Sequence, residues 1–125
     1  MSSLGFSGEQ MMAVLSVSHA MVLMDGKIDD KELDVVINHL ASFGVPVDDW
    51  KPLIAAGDNM EPAYAMGIIA SMNYEQKKYV ASLLGVIIIA DNDINDKEVS
   101  FWRWITKICK LPTMSIKEAV ENLNK

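Results

Sequence analysis

The segment Asp25-Gly26-Lys27-Ile28-Asp29-Asp30-Lys31-Glu32 returns 66 residues later as Asp91-Asn92-Asp93-Ile94-Asn95-Asp96-Lys97-Glu98. Five of the eight positions are identical, and Asp29/Asn95 exchanges an acid for its amide. The offset also holds in plainer sequence. Glu9-Gln10 matches Glu75-Gln76, and Val14, Ser16 and Pro46 match Val80, Ser82 and Pro112. Matches at one offset, without a gap, imply a chain built from two similar halves. They set the first repeat at about 7–46, a connector over 47–72, the second repeat at about 73–112 and a C-terminal helix in 113–125, all within a single domain over 1–125.

Every stretch long enough to carry a period reads as helix, so the expected class is all-α with about seven helices and an internal two-fold repeat. Ser7-Gly8-Glu9-Gln10 is a capping box, and Asn73-Tyr74-Glu75-Gln76 repeats it at the same offset. The helices these open, near 8–24 and 74–90, are apolar almost all round, as central buried helices are. Ser16 and His19 interrupt the first, and Ser82 and Gly85 the second, each pair on one face. A pseudo-symmetric crossing at these points would put the His19 ring in the space left by Gly85. His19 is otherwise an ordinary core histidine bonded to a nearby carbonyl or hydroxyl.

The second helix of each repeat starts inside the acidic segment. Asp29 and Asn95 suit the N-cap, Glu32 and Glu98 the third helical position, and Ile28 and Ile94 can staple to Leu33 and Val99. Gly44 suits the end of the first of these helices, and Pro46 and Pro112 bar continuation. In the later copy Phe101, Trp102, Trp104, Ile105, Ile108 and Cys109 form an apolar arc too wide for one face. Successive positions point about 100° apart, so at least one ring among Phe101, Trp102 and Trp104 should escape the core of a monomer. Two shorter helices are expected near 48–56 and 61–71, the second with Pro62 in its first turn. Ser115-Ile116-Lys117-Glu118 opens a last one near 115–123.

The 125 residues suffice for one real core. A hydrophobic fraction of 50% is high for a soluble chain and favours at least one sticky surface. The net charge is −6, and the 11 basic residues form no run beyond Lys77-Lys78. A duplex-binding protein needs a basic stripe to neutralise phosphates, so nucleic acid and direct docking on anionic lipid are unexpected partners. The single Cys109 rules out an internal disulfide and a cysteine-based zinc site. The first basic residue is Lys27, unlike a secretory leader, and the apolar run 80–90 is too short to span a bilayer. The expected location is the cytoplasm, without membrane insertion.

The chemistry that the sequence offers lies in the doubled segment. Carboxylates, amides and turn carbonyls are the ligands of hard cations, Ca²⁺, Mg²⁺ or Mn²⁺. Asp91-x-Asp93-x-Asn95 begins like an EF-hand loop, but Asp96 stands where the loop needs glycine and Trp102 where it needs a bidentate Glu. Lys27 stands at the third position of the first copy, and the EF-hand is rejected. Two readings stay open. Asp29/Glu32 and Asn95/Glu98 are explained as helix caps alone, with Asp25 and Asp91 receiving turn amides. Alternatively Asp25, Glu32, Asp91, Asp93 and Glu98 are metal ligands, with the second copy favoured because it has Asp93 and lacks the lysine.

Met24-Asp25-Gly26-Lys27-Ile28-x-x-x-Glu32 and Ala90-Asp91-Asn92-Asp93-Ile94-x-x-x-Glu98 resemble the repeated turn of the TerB-like (tellurite-resistance) family, which is itself similar to the N-terminal domain of the DjlA co-chaperone. The resemblance spans nearly the whole chain. It implies a seven-helix domain with two-fold character and the acidic turns clustered into a metal site. It also implies a stress-response role in protein assembly, including with a membrane-associated partner, rather than catalysis. The acidic positions carried over are Asp25, Glu32, Asp91 and Glu98. Asn92 replaces the family glycine, a tolerable change in a left-handed turn, and Met24 replaces a small residue.

The expected function is therefore a non-catalytic interaction module, cation-dependent through the paired turns. It would bind a protein partner, a further copy of itself included. The surface to expect is the helix carrying Phe101, Trp102 and Trp104, since such aromatics anchor interfaces. The alternatives are a metal-free structural adaptor and, with less support, a Mg²⁺- or Mn²⁺-dependent hydrolase.

Overall fold

The computed structural model describes residues 5–23, 34–38, 48, 52, 59–90, 94 and 96–123. Among these residues the chain is all-helical. Five helices have defined bounds: α1 (Gly8–Val22), α2 (Pro62–Ala70), α3 (Tyr74–Ile89), α4 (Asp96–Cys109) and α5 (Ile116–Leu123). Residues 34–38 are helical as well. The expected helix near 48–56 lies almost wholly outside the described residues, as do Gly44 and Pro46. No described helix is long and apolar enough to cross a membrane.

Local chemistry starts these helices where the sequence indicates. Ser7 Oγ accepts from Gln10 N at 3.1 Å, and Gln10 Oε1 accepts from Ser7 N at 2.9 Å. Asn73 Oδ1 accepts from Gln76 N at 2.8 Å, and Gln76 Oε1 accepts from Asn73 N at 3.2 Å. A third box closes at α5, where Ser115 Oγ accepts from Glu118 N at 3.1 Å and the Glu118 carboxylate accepts from Ser115 N at 3.0 Å. Hydrogen bonding from the Ser115 amide, and secondarily from its hydroxyl, holds the Glu118 carboxyl below its usual pKa. Pro62 occupies the first turn of α2, where no amide is needed.

Helices α1 and α3 form the centre. Val14, Leu15, Val17, Met21 and Val22 of α1 are buried, as are Val80, Leu83, Leu84, Ile87 and Ile88 of α3. α2 packs against α1 and α4, α5 lies along α3, and α4 closes the core with Trp102, Ile105 and Cys109. α4 ends in a left-handed residue, Lys110 at φ 57°, and Leu111 N donates to Thr106 O at 2.9 Å. That bond is the six-to-one link of a Schellman motif, and it tucks the buried Leu111 beneath the helix end.

One expectation is overturned. The space beside Gly85 is filled from α5 and α4, not by His19. A Cβ at position 85 would lie 2.6 Å from Ala119 Cβ and 2.9 Å from Trp102 Cζ2. The physical reason is the seat of α5. The Ser82/Gly85 face of α3 receives the last helix, and Ser82 Oγ accepts from Asn122 Nδ2 at 3.2 Å. Ser16 faces a different neighbour, donating to Met60 O at 3.5 Å. His19 itself is only half-buried.

Candidate functional site

Of the five candidate ligands, Glu98 alone falls among the described residues; Asp25, Glu32, Asp91 and Asp93 lie outside them. Glu98 sits in the first turn of α4 and is 2% exposed. It shares a face with Trp102, Ile105 and Cys109, at the spacing of successive helical turns. This glutamate is therefore a core-facing group rather than a solvated cap. A buried carboxylate is costly without hydrogen bonds or positive charge around it. Its place at the helix N-terminus supplies part of that compensation through the backbone dipole. Among the described residues, no group of three or more His, Cys, Asp or Glu stands together as a metal cluster.

The aromatic arc of α4 divides sharply. Trp102 is 7% exposed, and its Nε1 donates to Ala81 O at 3.0 Å, pinning α4 to α3. Trp104 is 48% exposed and Ile108, one turn on, is 50% exposed. The half-buried Phe101 lies beside Trp104, with ring centroids 6.2 Å apart and planes inclined at 32°. Asp96, Lys97 and Ser100 border this shallow aromatic depression. Trp102 thus leaves the expected binding surface, which narrows to Phe101, Trp104 and Ile108.

Cys109 is fully buried and its Sγ lies 3.4 Å from Met66 O. Burial pushes the thiol pKa up, against a smaller opposing effect of Lys77. A thiol kept protonated in a packed core is a poor nucleophile, consistent with a structural role. Tyr64 Oη donates to Glu9 at 2.7 Å, joining α2 to the start of α1. That hydrogen bond to the Glu9 carboxylate raises the Tyr64 pKa.

The two capping glutamines touch. Gln76 Nε2 donates to Gln10 Oε1 at 3.4 Å, linking residues that are 66 apart in the chain. The N-termini of α1 and α3 therefore meet through the same residue of each capping box. Two pairs at the same 66-residue spacing, Met21/Ile87 and Val22/Ile88, are fully buried in both helices.

No protein-family model matches the chain, and no curated protein matches it significantly. The chain is similar to a solved structure described as a protein of unknown function, PG1108 from Porphyromonas gingivalis W83. The match covers 100% of this chain and 95% of that one, with a TM-score of 0.87 and 39% sequence identity. At that identity over the whole length, the chain belongs to the same family as the Porphyromonas gingivalis protein.

Proposed function

We propose that the chain is a non-catalytic, TerB-like interaction module of stress-response type that docks a protein partner on the exposed edge of α4. The observation that carries this reading is the split of the aromatic arc. Trp102 anchors α4 in the core while Trp104 and Ile108 stand about half exposed beside Phe101. Apolar groups displayed on a rigid, anchored helix lose little entropy on binding, which suits an interface hot spot.

The internal two-fold repeat belongs to the same reading. It is supported by the Gln10–Gln76 contact and the matched capping boxes. The repeats are about 7–46 and 73–112, and the connector helices and α5 outside them bring the total to about seven. The paired turns carrying Asp25, Glu32, Asp91, Asp93 and Glu98 would hold one divalent cation, Ca²⁺, Mg²⁺ or Mn²⁺. The burial of Glu98 supports this part, because a cation is one group able to offset a carboxylate inside a core.

The docking reading is tested with Trp104→Ser/Ile108→Ser as bait in place of the wild type. Both side chains are about half exposed and outside the buried core, so the fold should survive the change. A partner that copurifies with the wild type in fixed ratio should be lost from the variant. An unchanged set of copurifying proteins contradicts the assignment of this face.

A further inference from the structure

A second surface of α4 differs in kind from the aromatic edge. A groove of about 550 Å³ lies between α4 and the segment leading into α5. Its floor is apolar, made by Trp102, Leu111 and Met114 among others. Its walls carry Arg103 and Lys107, one turn apart on α4, with Thr106 beside them and Thr113 opposite. Among the described residues, no acidic one lines it. Neither Arg103 nor Lys107 has an ion-pair partner among the described residues, in a chain whose net charge is −6.

The first half of the sequence provides an internal comparison. At the repeat offset the wall positions Arg103, Thr106, Lys107 and Thr113 correspond to Ile37, Leu40, Ala41 and Val47. The apolar positions Val99 and Leu111 correspond to Leu33 and Val45. Val99, Trp102 and Leu111 thus have apolar counterparts in the first half, Met114 aligns with Asp48, and two cations and two hydroxyls stand where the first half has four aliphatic residues. An exposed helix face needs polar residues for solubility. That need alone does not call for two neighbouring cations with no acid between them on an acidic protein.

We infer that this groove binds a small amphiphilic carboxylate, with its apolar body on the Trp102–Leu111 floor and its carboxylate between Arg103 and Lys107. The volume falls within the range of small-ligand sites, and a mostly apolar pocket with a few convergent polar groups is their usual make-up. The Arg103 guanidinium offers a planar fork matched to a carboxylate, and Lys107 adds a second positive charge. Thr106 and Thr113 can donate to either oxygen. The site's lining shares no residue with the aromatic depression of Phe101 and Trp104. It leans on the repeat alignment only for the comparison of the two halves.

The test is an NMR titration of the ¹⁵N-labelled full chain with decanoate, kept below its micellar concentration. Decyltrimethylammonium, inorganic phosphate and vesicles containing anionic lipid serve as separate arms. Saturable shifts at the amides of residues 103–116 are expected with decanoate, and much weaker binding with the cationic amphiphile of the same tail. In Arg103→Gln/Lys107→Gln, both surface changes, the affinity for decanoate should fall about tenfold or more. In Trp104→Ser it should be unchanged. Equal affinity for the two amphiphiles, or for phosphate and decanoate, overturns the inference, as does an unaltered affinity in the double variant. Vesicle binding without decanoate binding assigns the basic residues to a lipid surface instead and equally overturns it.

Discussion

Gly85 is where the packing of this fold is least forgiving. In Gly85→Ala the new methyl would stand 2.6 Å from Ala119 Cβ, whereas carbon atoms in ordinary contact lie about 3.5–4.0 Å apart. Ala119 Cβ is fixed to the α5 backbone, so no rotamer change relieves the overlap. The other neighbour, the Trp102 ring, is held by its bond to Ala81 O. α5 must therefore move away from α3 by about 1 Å, opening contacts along their whole interface. Overpacking against an atom that cannot turn aside costs about 2–3 kcal/mol, the upper part of the usual range, and the better helix propensity of alanine returns about 0.5–1 kcal/mol. The net expectation is a loss of about 1–2 kcal/mol, read as a fall in melting temperature of about 4–8 °C for a chain of this length. Circular dichroism melts of the single variants and of Gly85→Ala/Ala119→Gly complete a double-mutant cycle. The pair should be more stable than the sum of its parts predicts, because Ala119→Gly removes the closest atom. An unchanged or raised melting temperature in Gly85→Ala would refute the packing argument.

Three further outcomes are expected. Lys110→Gly, at the left-handed residue that ends α4, should stabilise the chain by about 0.5–1 kcal/mol in urea denaturation; the first copy already has Gly44 at the equivalent position. The raised pKa of Cys109 makes stability fall as pH climbs above about 8.5, because the unfolded thiol ionises before the folded one. Denaturation midpoints from pH 7 to 10 should show this slope, and Cys109→Ala should reduce it. The cation reading predicts a higher melting temperature in excess Ca²⁺, Mg²⁺ or Mn²⁺ than in EDTA, by mass action, and loss of that shift in Asp91→Ala. A wild type indifferent to all three ions removes the metal from the account.

The elements legible in the sequence are those with local causes. Ser7/Gln10, Asn73/Gln76 and Ser115/Glu118 announce helix starts because a capping box spans only four residues. The division of the α4 arc was legible from the helical period, since Phe101, Trp102 and Trp104 cannot all point one way. Which of them stays in solvent was not, because that depends on where α3 lies. The Gly85 vacancy shows the same limit. Its spacing from Ser82 marks a face, but nothing local tells that α5 rather than α1 covers it. Arg103 and Lys107 form no run in the sequence, being four residues apart, while one helical turn brings them to the same groove. Glu98 has the position of a cap and the burial of a core residue, a combination invisible without the tertiary fold.

The central claim is that the exposed edge of α4 is a docking face, and photo-crosslinking from position 104 addresses it most directly. A photoreactive residue placed there in the full chain, in cells that make the protein, would report what lies against that edge. Positions 64 and 74, where Tyr64 and Tyr74 are exposed on other helices, serve as controls. The account predicts one discrete adduct from position 104, absent from the controls and abolished by Ile108→Ser. Adducts no stronger at position 104 than at 64 or 74 would contradict it.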